Sequence, residues 1–592
     1  RGHECPHDHR RTRTRSPDGR WQAFVRDHNL WLRAAEGGAE QQLSHDGRAD
    51  DRYGSPPAWS PDSRWLAAMR AEPAQEHTVT LVESSPRDQV QPRIHTFDYL
   101  KPGDRVAVPR PQLFEVATQR QVPLDDALYA EPWSTDSLRW APDSSRFTFV
   151  FNQRGHQVFR VLAVDPLSGE VRPLVEETSP TFICYSSKYH LTWLDARGEL
   201  LWMSERDGWN HLYLLDAATG AVKRQLTQGP WAVRDVQRVD AEAGQVYFSA
   251  GGYDADQDPY YVHYFRVDLD TGALTRLTSG DGTHDLRWSP DRATYLDTWS
   301  RVDLPPRVEL RRAVDGALIS ELAAADASAL LATGWRAPER FVAPGRDGET
   351  PIHGVIIRPT NWTAEGSYPV IEDIYAGPQA AFVPKGWAEH YSMMELAELG
   401  FVVVKIDGMG TNYRSKAFHD VAWRNLADAG FPDRIAWLRA AAAADPSLDL
   451  GRVGLYGGSA GGQNALGGLL LHPDFYGVAV ADCGCHDNRM DKIWWNEQWM
   501  GWPVDEHYAA NSNVTLAPRL AGKLLLTVGE LDRNVDPAST MQVVDALIRA
   551  DKDFDLIVFP GAGHGAGGSA YGRRRMFDFF VRHLHGVEPR GR

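Results

Sequence analysis

Apolar side chains fall along this chain in two different patterns, and the change comes near Trp335. From about Ser16 to about Thr333 short alternating apolar runs are separated by a recurring turn, Ser/Ala-Pro-Asp, usually after a tryptophan. It occurs as Ser16-Pro17-Asp18, Trp59-Ser60-Pro61-Asp62, Trp140-Ala141-Pro142-Asp143 and Trp288-Ser289-Pro290-Asp291. A second phrase alternates with it: Asp216-Ala217-Ala218-Thr219-Gly220 leads to Leu226-Thr227, and Asp268-Leu269-Asp270-Thr271-Gly272 leads to Leu277-Thr278. Aspartate followed shortly by Thr-Gly between alternating runs is hairpin chemistry. Short strands punctuated in this way predict an all-β propeller, whose blades bury themselves only against their neighbours. A β-sandwich is the alternative, disfavoured by length and recurrence. About 300 residues at about 40–45 per blade predict roughly seven blades, in a set that need not be complete.

Beyond Trp335 apolar strands alternate with helical stretches. Phe341 to Gly348 reads as a turn-rich bridge and Ile352 to Ile357 as the first strand. Strands follow at Pro369 to Tyr375, Phe401 to Ile406, Arg452 to Tyr456, Val478 to Ala481, Leu524 to Val528 and Leu556 to Phe559, with helices such as Ile435 to Ala444 and Met541 to Ala550 between them. This β-α-β rhythm predicts a mostly parallel, doubly wound α/β sheet. The expected organisation is a tail over residues 1–15, a propeller over 16–334 and an α/β-hydrolase domain over 335–592.

The helix predicted from Gln463 to Leu471 follows a strand and the turn Gly457-Gly458-Ser459-Ala460-Gly461-Gly462. Gly457-x-Ser459-x-Gly461 fits a nucleophile elbow, in which glycines let neighbouring backbones approach and expose the serine hydroxyl. A serine needs a base, and the base needs a carboxylate to hold its tautomer. On this fold they follow in the order Ser, Asp or Glu, His, on loops after later strands. The loop after Lys523 to Val528 offers Glu530, Asp532 and Asp536. Asp532 is the choice, because Glu530 sits close to the strand and Asp536 precedes Pro537 as a natural helix cap. The loop after Leu556 to Phe559 offers His564 between glycines. The N–H of Ala460 supplies one oxyanion donor; the loop Tyr375-Ala376-Gly377-Pro378 lacks an HGGG-type run, and the Tyr375 hydroxyl stands in for the second.

Composition narrows the remaining classes. A net charge of −16 over 592 residues argues against a nucleic-acid partner. No apolar run approaches the roughly 20 residues of a membrane span, and composition selects no compartment. Four cysteines imply no disulfide framework. Cys483-Gly484-Cys485-His486 has no second ligand pair at zinc spacing, so no metal site is expected. Gly563, Gly565 and Gly568 form a G-x-G-x-x-G after the last strand rather than the first, which is no dinucleotide site. The chemistry requires no cofactor.

At these residues the chain resembles the prolyl oligopeptidase family of serine peptidases, in its dipeptidyl peptidase IV branch. The likeness rests on Tyr368 to Pro378, Asp407-Gly408-Met409-Gly410, Gly457 to Gly462, Trp499-Met500-Gly501, Gly529-x-x-Asp532-x-Asn534-Val535, Gly563-His564-Gly565 and, in the propeller, Trp59 to Asp62 and Ser204 to Tyr213. It implies Ser459, Asp532 and His564 as the triad and Tyr375 as the side-chain oxyanion donor. Asn534 would contact a substrate carbonyl, and Val535 and Trp495 would line an S1 pocket for proline. It further implies release of N-terminal dipeptides or tripeptides with Pro or Ala at P1, no bound cofactor, and an assembly that includes homodimers. Ala460 stands where the branch carries an aromatic residue, which opens S1. The branch holds the substrate amine with a propeller glutamate pair; Asp50 and Asp51 occupy that stretch here, whereas Glu176-Glu177 falls in a different blade. The chain begins late relative to the family, and an arginine expected early has no counterpart. An endopeptidase or acylaminoacyl-peptidase, a catalytically dead binding protein and an esterase are the other readings.

Overall fold

A computed structural model describes residues 14–54 and 56–589. Among them, six antiparallel sheets of four or five strands occupy Thr14 to Ala324, each the neighbour of the next in the chain. The length predicts about seven such units; the difference lies partly in an excursion. Thr78–Glu83 and Arg93–Asp98 form a two-stranded hairpin outside the blades. Of the expected tail, residues 1–13 lie outside the described residues, while Thr14 and Arg15 pair with Ala23 and Gln22.

The recurring turn explains the recurring blade. Ser60 Oγ donates to Asp62 Oδ1 at 2.6 Å and accepts from the Trp65 N–H at 2.9 Å, closing the turn into the strand Trp65–Glu72. Ser16 with Asp18 and Trp21, and Ser289 with Asp291 and Thr294, repeat the arrangement. The turns also meet across blades: the Asp18 N–H donates to Ser63 Oγ and the Asp62 N–H to Ser144 Oγ, both at 3.0 Å. In the second phrase Asp216 Oδ1 accepts from the Thr219 N–H at 2.8 Å and its hydroxyl at 2.9 Å. Gly220 then turns at φ 77°, the left-handed region that glycine enters without a Cβ penalty.

The second half is one eight-stranded sheet in the order Glu339–Pro344, Pro351–Ile357, Val402–Asp407, Tyr368–Asp373, Leu448–Gly458, Val478–Asp482, Lys523–Gly529, Asp555–Phe559. The first two pairings are antiparallel and the rest parallel. Glu339–Pro344 corrects the bridge read from Phe341 to Gly348: its Pro344 falls at the edge, where a missing N–H costs nothing. Alternation sorts the faces. Leu524 and Leu526 pack under the helices Ala460–Leu471 and Ala538–Arg549, while Leu525 points to the opposite face with Phe579 and Phe580. No helix among the described residues is long and apolar enough to cross a membrane.

The two halves are joined by polar contacts around one end of this sheet. Arg154 pairs with the fully buried Glu497 at 2.6 Å and stacks 3.6 Å over Trp502. Lys101 reaches Asp536 at 2.8 Å, and Lys385 reaches Asp258 at 2.7 Å. Residues at the base of the hairpin, Tyr99 to Gly103, run directly along the second half.

Candidate active site

The strand Leu448–Gly458 ends in the elbow. Ser459 sits at φ 60° and ψ −125°, a strained conformation for a residue with a Cβ, and its N–H donates to the Asp482 carbonyl at 3.0 Å. The glycines are sterically required. A Cβ on Gly457 would lie 2.4 Å from the Gly461 carbonyl oxygen and 2.5 Å from that of Ile374. The helix Ala460–Leu471 starts immediately after, so the Ala460 N–H is one of the N-terminal donors a helix leaves unpaired.

Two later loops supply the partners. Asp532 is fully buried; its Oδ1 accepts from the N–H groups of Asn534 and Val535 at 2.9 and 3.0 Å, and its Oδ2 faces His564 Nδ1 at 2.7 Å. Glu530 is turned away, toward Ser84 of the hairpin and the Gly561 N–H, and Asp536 accepts from the Ala538 N–H as a cap and pairs with Lys101. His564 Nε2 lies 3.9 Å from Cys483 Sγ. Burial pushes that thiol well above its usual range, which keeps it protonated and a poor nucleophile. Burial likewise raises the neighbouring Asp482 carboxyl, against the Thr527 hydroxyl and the Gly567 N–H that bond it. Ligand atoms of Cys483, Asp532 and His564 lie within 4.8 Å of one another, although Asp532 is already committed to the imidazole and to two backbone N–H groups.

Tyr375 is positioned from below. Fully buried Arg434 and Glu372 pair at 2.6 Å, Arg434 Nη2 reaches the Tyr375 carbonyl at 3.4 Å, and the Tyr375 ring packs 4.3 Å from Phe382. Burial raises the phenol, opposed by the Gln379 amide and the Ser459 hydroxyl beside it.

A cavity of about 300 Å³ opens over the elbow, and Tyr375, Ser459, Ala460, Trp495 and Asn534 all line it. Val535 does not; it is buried behind, with its N–H on Asp532. Asp50 and Asp51 are not brought here. Asp51 is buried between Arg70 and Arg110, at 3.2 and 3.1 Å, and Asp50 is exposed and paired with Arg48. The lining also holds residues that motif reading missed, Gln379, Asp491 and Lys492. Only their position just ahead of Trp495 marked the last two. Glu176 and Glu177 line a separate cavity of about 360 Å³ in the propeller. It borders the first through Cys184, which lies 3.9 Å from Gln498.

Family models match both halves of the chain. The dipeptidyl peptidase IV N-terminal region matches residues 3–306, and the prolyl oligopeptidase family matches residues 388–587. The chain belongs to the prolyl oligopeptidase family. Among relatives, a probable dipeptidyl-aminopeptidase B of Coccidioides posadasii is 24% identical over 598 residues, covering 93% of this chain and 64% of its own length. Human dipeptidyl peptidase 8 is 26% identical over 446 residues, covering 68% and 49%. The chain thus spans less than two thirds of the length of these relatives. The crystal structure of Porphyromonas gingivalis dipeptidyl peptidase 4 superposes with a TM-score of 0.75 at 24% identity, over 97% of this chain and 82% of that one. A blade-bearing half followed by an α/β half is the architecture that the superposed structure shares with this prolyl oligopeptidase family member.

Proposed function

We propose that this chain is a serine peptidase that hydrolyses short peptides through an acyl-enzyme and releases dipeptides from their N-termini. The observation that carries the reading is the buried Asp532 bonded to His564 Nδ1 at 2.7 Å, together with a strained, glycine-cradled Ser459 at the elbow. With Nδ1 held by the carboxylate, Nε2 is the nitrogen free to take the Ser459 proton as Oγ attacks the scissile carbonyl. The developing oxyanion meets the Ala460 N–H and the Tyr375 hydroxyl. Nε2 then returns the proton to the leaving amine, and water repeats the sequence to free the acid. Ala460, Trp494 and Trp495 supply the apolar surface for Pro or Ala at P1.

Dipeptide release follows the names of the relatives. An endopeptidase or acylaminoacyl-peptidase is favoured by one observation: the carboxylates expected to anchor the amine, Asp50 and Asp51, lie elsewhere and are paired with arginines. Gly-Pro and Ala-Pro chromogenic amides assayed beside their N-blocked forms decide between them. The free amines should be cut at least tenfold faster; equal cleavage sinks dipeptide release, and no labelling of Ser459 by a fluorophosphonate sinks the peptidase reading itself.

A further inference from the structure

The cavity over Ser459 contains an ion pair that neither the triad nor the oxyanion site uses. Asp491 is 1% exposed, and both of its oxygens are engaged. Oδ1 lies 2.7 Å from the Tyr99 hydroxyl and 2.8 Å from Lys492 Nζ; Oδ2 lies 2.9 Å from Asn496 Nδ2 and 3.1 Å from the same Nζ. The carboxylate is therefore saturated from three directions. It is a clamp rather than a vacant acceptor.

Lys492 is in the opposite condition. Among the described residues its ammonium meets only the Asp491 carboxylate, and the side chain is 19% exposed in the wall of the cavity. An ammonium carries three donors, so at least one N–H remains for whatever enters. Among the described residues no arginine and no other lysine lines the cavity, and Asp491 is its only carboxylate. The remaining walls give aromatic surface from Trp494, Trp495 and Trp499 and neutral polar groups from Gln379, Gln498 and Asn534. A peptide with only apolar side chains on its acyl side would cover the remaining N–H of this ammonium without giving it an acceptor, and burying a polar donor unbonded is costly. A side-chain carboxylate would pair it.

We propose that Lys492, held by Asp491, selects peptides carrying an aspartate or glutamate on the acyl side of the scissile bond. This rests on the peptidase reading above and adds to it the chemistry of the preferred substrate. The acid sits either next to the scissile bond, in place of the expected Pro or Ala, or one residue before it; the structure names the group recognised, and the assay separates the two positions.

The test is a panel of dipeptidyl aminomethylcoumarin amides, Ala-Glu, Ala-Gln, Ala-Ala, Ala-Lys, Glu-Ala and Lys-Ala, run on wild type, Lys492→Met and Lys492→Gln. A charge-assisted pair in a partly buried site is worth about ten- to a hundredfold. Ala-Glu or Glu-Ala should exceed its neutral counterpart by that factor in kcat/KM, and whichever does so places the acid. In both variants the advantage should collapse to within about threefold while Ala-Ala turnover is kept. Equal rates for Ala-Glu, Glu-Ala and Ala-Ala in wild type overturn the proposal. So does a uniform loss across the panel in the variants, which would make Lys492 a backbone or structural contact. A preference for Ala-Lys or Lys-Ala also overturns it, since a basic side chain would then be displacing Lys492 from Asp491. Absence of turnover on every amide together with no fluorophosphonate labelling is the separate failure of the peptidase reading.

Discussion

Replacing Tyr375 with phenylalanine tests the oxyanion assignment with little collateral change. The ring stays in its contact with Phe382, 4.3 Å away, and the Arg434 bond to the main-chain carbonyl does not involve the hydroxyl. What disappears is one O–H donor beside Ser459, together with the acceptor for Gln379 Nε2 at 3.2 Å. Loss of one oxyanion donor costs about 2.7–4 kcal/mol in the transition state, or about 10²–10³ in kcat. Because that donor is aimed at charge present only in the transition state, KM should stay within about threefold. The lost Gln379 bond should lower stability by only about 0.5–1.5 kcal/mol. Steady-state kinetics on Ala-Pro p-nitroanilide with a parallel denaturant titration separates the two effects. A fall in kcat of less than about tenfold in a folded Tyr375→Phe variant would refute the assignment and leave the second donor to be found elsewhere.

Other substitutions follow from the same geometry. Arg434→Met leaves the fully buried Glu372 unpaired and should cost about 3–5 kcal/mol in urea unfolding, with Glu372→Gln added in the same chain restoring part of it; an unchanged midpoint would contradict the buried pair. Gly457→Ala forces a Cβ against two carbonyl oxygens, so soluble protein should fail to label with a fluorophosphonate, and normal labelling would show that the elbow can relax. Asp50→Asn should leave kcat/KM on Ala-Pro p-nitroanilide within twofold, because Asp50 is exposed and paired with Arg48 away from the cavity; a tenfold loss would return it to the site.

The parts legible in the sequence were those fixed by local chemistry. Gly457 and Gly461 betray the elbow because close backbone approach excludes any Cβ at Gly457, and Asp532 and His564 are found by counting loops after strands. The Ser-Pro-Asp turns are similarly self-contained: serine, aspartate and the N–H they bond lie within six residues of one another. What escaped depends on residues far apart. Asp51 reads as a free acid until Arg70 and Arg110 arrive from a neighbouring strand pair. Lys492 carries no motif of its own, and only the fold sets it in the wall above Ser459. Pro344 and Gly345 look like a turn because the residues that pair with Glu339–Pro344 come only after them.

Tyr99 belongs to the propeller half, yet its hydroxyl touches Asp491 and, at 2.6 Å, the carbonyl of Asn534. The cavity over Ser459 is therefore supported from both halves, while Ser459, Asp532 and His564 belong to one half alone. Selectivity and reactivity can then be inherited separately. A graft that exchanged the propeller between relatives would carry part of the substrate preference with it, and a catalytic half made alone would keep its nucleophile while losing the hand that holds Asp491 in place.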